Sequence, residues 1–152
     1  EINWKKKLWT VPADRFGKKG RVKVSSNKDH VVPLSSEALE LLKSLYAERA
    51  GDFIFWSVSP QKPLSSEAMR HFIGQFGYVD PKLDNAPITV HGFRSTFSDW
   101  ADEETHYDII IKELCLHHKV GDEVYQAYHR GDRLKDRFEL LEEWAQYCVS
   151  QC

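Results

Sequence analysis

The sequence predicts a mostly α-helical protein with one small antiparallel β-sheet near its N-terminus, an α+β class. Three observations carry this expectation. Short β-branched runs separated by glycines and polar turns are confined to the first 33 residues, and from there on apolar residues recur at helical spacing in several separate stretches. A chain of 152 residues with 41% hydrophobic side chains is also the material of one domain-sized core, residues 1–152.

Taken in order, Leu8 to Val11 ends at Pro12, Val22 to Val24 follows Gly20, and His30 to Val32 ends at Pro33. β-branched and aromatic side chains suit a pleated surface, and Gly17, Gly20 and the run Ser25-Ser26-Asn27-Lys28-Asp29 supply the turns of a small antiparallel sheet. An identical hexapeptide then occurs twice, Pro33-Leu34-Ser35-Ser36-Glu37-Ala38 and Pro63-Leu64-Ser65-Ser66-Glu67-Ala68. Two copies fall short of the roughly three that a solenoid needs. Each copy has the grammar of a helix start: proline outside, serine to accept from the first N–H groups, and glutamate in the first turn against the helix dipole. Behind the first, Ala38, Leu41, Leu42, Leu45 and Tyr46 share one face; behind the second, Met69, Phe72, Ile73 and Phe76 do, so both predict amphipathic helices that bury that face.

Residues 77 to 88, with Gly77, Pro81, Asn85 and Pro87, predict a loop. Thr89 then caps a third helix whose core stripe is Phe93, Phe97, Trp100 and Ala101 and whose other face carries His91, Arg94, Ser95 and Ser98. A fourth helix runs from about Tyr107 through Ile110, Ile111 and Leu114, and its stripe, continued, lands on His118, which is therefore expected to point inward. Glu123 to His129 predicts a short helix broken at Gly131, and Leu134, Phe138, Leu141, Trp144, Ala145 and Cys148 mark a last amphipathic helix.

The formal charge of -2 hides an asymmetry. Residues 1–30 hold nine basic against three acidic residues, a net +6, and the remainder carries 12 basic and 20 acidic, a net -8. The basic excess sits on the predicted sheet and its loops, where it suits contact with phosphate. Cys115, Cys148 and Cys152 form no C-x-x-C pair, so neither a disulfide framework nor a zinc ribbon is expected, and His106, His117 and His129 follow no zinc-ligand spacing. No run approaches the roughly 18 apolar residues of a membrane span and no leader pattern opens the chain, which predicts a soluble, cytoplasmic protein with no membrane partner. Met69 is the only methionine, so the chain is expected to be cut from within a longer protein.

Three groups of polar residues ask for an explanation: His91 with Arg94, His118, and the tyrosines Tyr125 and Tyr128. His91 and Arg94, at i and i+3, converge on one face of a helix, where the planar fork of arginine suits bidentate contact with a phosphate. A buried arginine needs an anion to answer it, either an internal carboxylate or a ligand.

His91-Gly92-Phe93-Arg94 is followed 24 residues after Arg94 by His118 in Leu116-His117-His118-Lys119-Val120-Gly121, and ten further on by Tyr128 in Ala127-Tyr128-His129-Arg130. Together with Trp9-Thr10-Val11-Pro12-Ala13, His30-Val31-Val32-Pro33-Leu34-Ser35 and Trp144-Ala145-Gln146-Tyr147, this ordered set resembles the catalytic domain of tyrosine recombinases of the phage and genomic-island integrase type. The resemblance runs from about Trp4 to Tyr147. It implies site-specific recombination of double-stranded DNA, the integration or excision of a mobile element, by a bacterial or phage protein that works at the nucleoid and self-associates as a tetramer on DNA. No metal and no cofactor are implied.

The resemblance also implies roles. Tyr128 is the nucleophile that attacks the scissile phosphate and becomes linked to its 3′ side; an unperturbed tyrosine, with a pKa near 10, needs help losing its proton, and His91 is the implied base. Arg94 and His118 donate hydrogen bonds to the non-bridging oxygens, as an oxyanion hole does. A hairpin lysine protonates the departing 5′-oxygen; the family position falls on Ser25, so Lys23 is preferred, with Lys28 second. Tyr125 is read as packing. The family's first arginine belongs to a helix preceding the stretch that Glu1-Ile2-Asn3-Trp4 resembles, so the chain is expected to be part of a catalytic domain, without that arginine and without the upstream DNA-binding domains, and to cleave poorly alone. A non-catalytic DNA-binding relic of a recombinase, and a type IB topoisomerase-like enzyme sharing the tyrosyl intermediate, stand as alternatives.

Overall fold

The computed structural model describes residues 1–16, 29–118 and 131–151. These form two compact units, one of the described residues within 1–40 and 106–152 and the other of residues 41–105. The class is the expected one, mostly helical with small antiparallel sheets.

In the first unit, β1 (Ile2–Asn3), β2 (Leu8–Val11) and β3 (His30–Pro33) form an antiparallel sheet in the order β1-β2-β3. Pairing of Trp9 with Val32 and of Val11 with His30 sets the register of the two longer strands. The Asn3 side chain accepts from the Lys6 N–H at 3.0 Å, and Lys7 turns with φ 54°, which closes the tight connection from β1 to β2. The sequence had no signal for β1, because two residues are too few to show alternation. The expected strand at residues 22–24 lies outside the described residues, as does the expected helix at 123–129.

The first hexapeptide behaves as predicted. Leu34 and Ser35 are buried, Ser35 Oγ accepts from the Ala38 N–H at 3.2 Å, and α1 runs Ser36–Glu48. Its phase differs: Leu39 is the buried residue, whereas Leu41 is 61% exposed. Two later helices complete this unit. Helix α4 (Ile109–Cys115) starts two residues after Tyr107 because the Asp108 carboxylate caps the Ile110 N–H at 3.0 Å; it buries Ile111 and Lys112. Helix α5 (Leu134–Ser150) buries Arg137 and Leu140, while Cys148, expected on its core stripe, is exposed. Arg137 Nη2 donates to the Val31 carbonyl at 2.6 Å and Glu142 Oε2 accepts from the Ser36 N–H at 2.9 Å, so α5 is fastened both to β3 and to the start of α1. Around those ties Leu34, Leu39, Ile111, Leu116 and Leu140 form the core, each fully buried aliphatic side chain contributing about 1.5–3 kcal/mol.

The second unit holds the part of α1 from Leu41 onward, α2 (Ala68–Gly74), the two-stranded pair β4 (Val79–Asp80) and β5 (Ala86–Pro87), and α3 (Gly92–Glu104). Phe97, Trp100 and Ala101 of α3 are buried as the stripe predicts, although Phe93 at its start is exposed. The second hexapeptide departs from the first. Pro63 bridges to Trp56, no side chain caps α2, and the helix is seven residues long. No residue of α2 is buried, and the expected core face stands open at Met69, Phe72 and Phe76, the last two in edge contact at 5.0 Å. No helix among the described residues is long and apolar enough to cross a membrane.

Candidate active site

His91 and Arg94 occupy the first turn of α3. The Thr89 hydroxyl accepts from the Gly92 N–H at 3.1 Å, which is the cap the sequence predicts, and His91 already has helical angles, φ -66° and ψ -33°. Arg94 N–H donates to the His91 carbonyl at 3.0 Å, so the two side chains rise from one turn of one helix, His91 exposed and Arg94 half-buried. Here the positive end of the helix dipole adds to the guanidinium, an arrangement suited to an anion.

His118 belongs to the other unit and sits where α4 ends. His117 adopts φ 56°, its N–H donates to the Leu114 carbonyl at 3.2 Å, and the His118 N–H donates to the Glu113 carbonyl at 2.9 Å. These are the two bonds of a Schellman ending, with histidine in the left-handed position that glycine usually fills. Leaving the helix there breaks the periodicity that pointed His118 inward: its side chain is 46% exposed, and its Nδ1 meets Glu113 Oε2 at 2.6 Å. The His117 ring in turn stacks on His30 of β3 with centroids 4.1 Å apart. Tyr128, Tyr125, Lys23 and Lys28 lie outside the described residues.

Sequence reasoning missed two groups beside this ending. Glu113 was unremarkable in a helical stripe, and only the five-residue span of a Schellman closure would have linked it to His118. Arg137 was overlooked as one of many charges on the last helix; among the described residues it is the buried arginine, 3% exposed, with the Cys115 thiol alongside. Burial pushes that thiol up, and the neighbouring guanidinium only partly opposes this, so Cys115 is held in its unreactive form. Among the described residues no three His, Cys, Asp or Glu side chains cluster as a metal site. Lys5, Lys6, Lys7 and Arg15, the described members of the basic N-terminal group, are all exposed, Arg15 in an ion pair with Glu1.

The chain is 31% identical to the prophage integrase IntA of Escherichia coli K12 over 147 residues, covering 95% of this chain and 32% of that protein. It is 31% identical over 150 residues to the integrase of Shigella phage Sf6, with coverages of 96% and 35%, and 30% identical over 156 residues to that of Enterobacteria phage P4, with 97% and 34%. It thus spans about a third of the length of these curated relatives. No solved structure gives a significant match. The phage integrase family domain matches residues 1–133, a span holding the sheet, the histidine and arginine of α3 and the His118 ending, and on that match the chain belongs to the phage integrase family.

Proposed function

We propose that residues 1–152 form part of the catalytic domain of a site-specific tyrosine recombinase that integrates or excises a mobile element. The observation that carries this reading is the pairing of His91 and Arg94 on the capped first turn of α3 in a chain whose relatives are named integrases. In the proposed step the Tyr128 oxygen attacks the scissile phosphorus as the bond to the 5′-oxygen breaks. His91 takes the phenol proton, Lys23 supplies one to the departing oxygen, and Arg94 and His118 donate to the non-bridging oxygens. One phosphodiester replaces another, so the exchange needs neither ATP nor a metal, and the phosphotyrosyl bond keeps the energy for religation. Each well-placed donor of the Arg94 and His118 kind contributes about 3–4 kcal/mol to such a step. The partner is double-stranded DNA, on which several copies assemble, and the place of work is the bacterial nucleoid.

A nicked suicide duplex carrying the attachment site, incubated with the complete protein, tests this. A covalent adduct is expected on Tyr128, absent in Tyr128→Phe. An adduct on Tyr125 refutes the nucleophile assignment, and DNA binding with no adduct on any attachment-site duplex makes the chain a non-catalytic DNA-binding module.

A further inference from the structure

Glu113 lies five residues before His118 and holds it at both ends. Its backbone carbonyl accepts from the His118 N–H at 2.9 Å, and its carboxylate meets the ring Nδ1 at 2.6 Å. The first bond is the long closure of the Schellman ending, so the backbone geometry that stops α4 also sets the His118 side chain above Glu113. A carboxylate only accepts, hence Nδ1 carries the proton in this pair, and the ring's other nitrogen, Nε2, is the atom that would meet a phosphate. The pair is too exposed, at 46% for His118 and 32% for Glu113, to add much to stability. Its consequence is orientation: two attachments to one residue leave the ring little freedom.

We propose that Glu113 is a positioning residue for His118, fixing the ring's direction and committing its proton to Nδ1. With Nδ1 so committed, Nε2 donates to a non-bridging oxygen only from the doubly protonated ring, and the carboxylate supplies the counter-charge for that form. His118 then acts as a charged donor, which is worth more than a neutral one where anionic charge develops. This inference rests on the reading of His118 as a phosphate donor.

The test is a double-mutant cycle in the complete protein, measured as single-turnover adduct formation on the suicide duplex at saturating DNA. Glu113→Ala is expected to slow adduct formation about tenfold or more with unchanged DNA affinity, Glu113→Gln, whose amide oxygen still accepts, to recover part of the rate, and Glu113→Ala to cost nothing further in a His118→Ala background. Wild-type rates for Glu113→Ala beside an impaired His118→Ala overturn the positioning role, as do losses that multiply independently. A fully active His118→Ala overturns the donor reading instead. Nitrogen-15 NMR of the unmutated protein covers the case of a misfolded variant: a His118 Nδ1 that bears a proton agrees with the proposal, and one that bears none refutes it.

Discussion

Tyr107 shows how one side chain's surroundings set a pH limit for the fold. Its hydroxyl donates to Glu143 Oε1 at 2.8 Å, and burial first, then that hydrogen bond and the charges of Glu143, Glu139 and Asp136, push its pKa up to about 12. The ordinary value is about 10, so folding favours the neutral phenol. A group whose pKa is raised by folding contributes stability below its unfolded value and loses it on the way up to the folded one. The urea midpoint is therefore expected to fall between about pH 10 and the folded value of about 12, and Tyr107→Phe to flatten that fall. Arg137 makes a different point at the same scale. The Nη2 and Nη1 atoms donate to the Val31 and Asp132 carbonyls at 2.6 and 3.5 Å, and its Nε has no partner among the described residues. A charge buried on carbonyl partners is costly by itself, yet it ties β3 to the start of α5. The sequence marked Arg94 as the arginine in need of an answer, because helical phase says which side of a helix a residue lies on but not how deep that side is buried.

At the scale of elements, the two identical hexapeptides separate local grammar from context. In the first, Leu34 is buried and Ser35 Oγ caps Ala38, and a helix of 13 residues follows; in the second, Leu64 is exposed, Ser65 offers only its carbonyl to Ala68, and the helix has seven residues. Short helices draw most of their stability from packing, and only the first copy has Glu142 of α5 accepting from its Ser36 N–H at 2.9 Å. Loss of a working serine cap typically costs about 1 kcal/mol. Ser35→Ala is accordingly expected to lower unfolding free energy by about that amount and Ser65→Ala by close to nothing, measured by urea denaturation. An equal loss at both sites would show that the second serine caps as well. The end of α4 was likewise invisible to periodicity: histidine at the left-handed position of His117, φ 56°, replaces the glycine that would have announced it.

For the molecule as a whole, charge decides the expected contact with DNA. Nine of its 21 basic residues fall in the first 30 positions, where the net charge is +6, against -8 over the rest. Phosphate contacts release counterions, so log affinity falls with log salt by about 0.9 for each phosphate neutralised. DNA affinity is expected to drop steeply between about 50 and 200 mM salt, and replacing Lys5, Lys6 and Lys7 by alanine to make that slope shallower, read by fluorescence anisotropy. A slope untouched by the triple variant would put the contacts elsewhere. Sequence by itself determined the class, the two longer described strands, the starts of α1 and α3, the joint placement of His91 and Arg94 and the membership of a family, because each rests on local grammar or on ordered motifs that survive without coordinates. Tertiary structure decided which apolar faces are covered, which arginine is buried, and that His118 leaves the helix exposed and in the grip of Glu113. Those outcomes depend on contacts between residues far apart in sequence, or on a turn whose closing bonds no periodic pattern encodes.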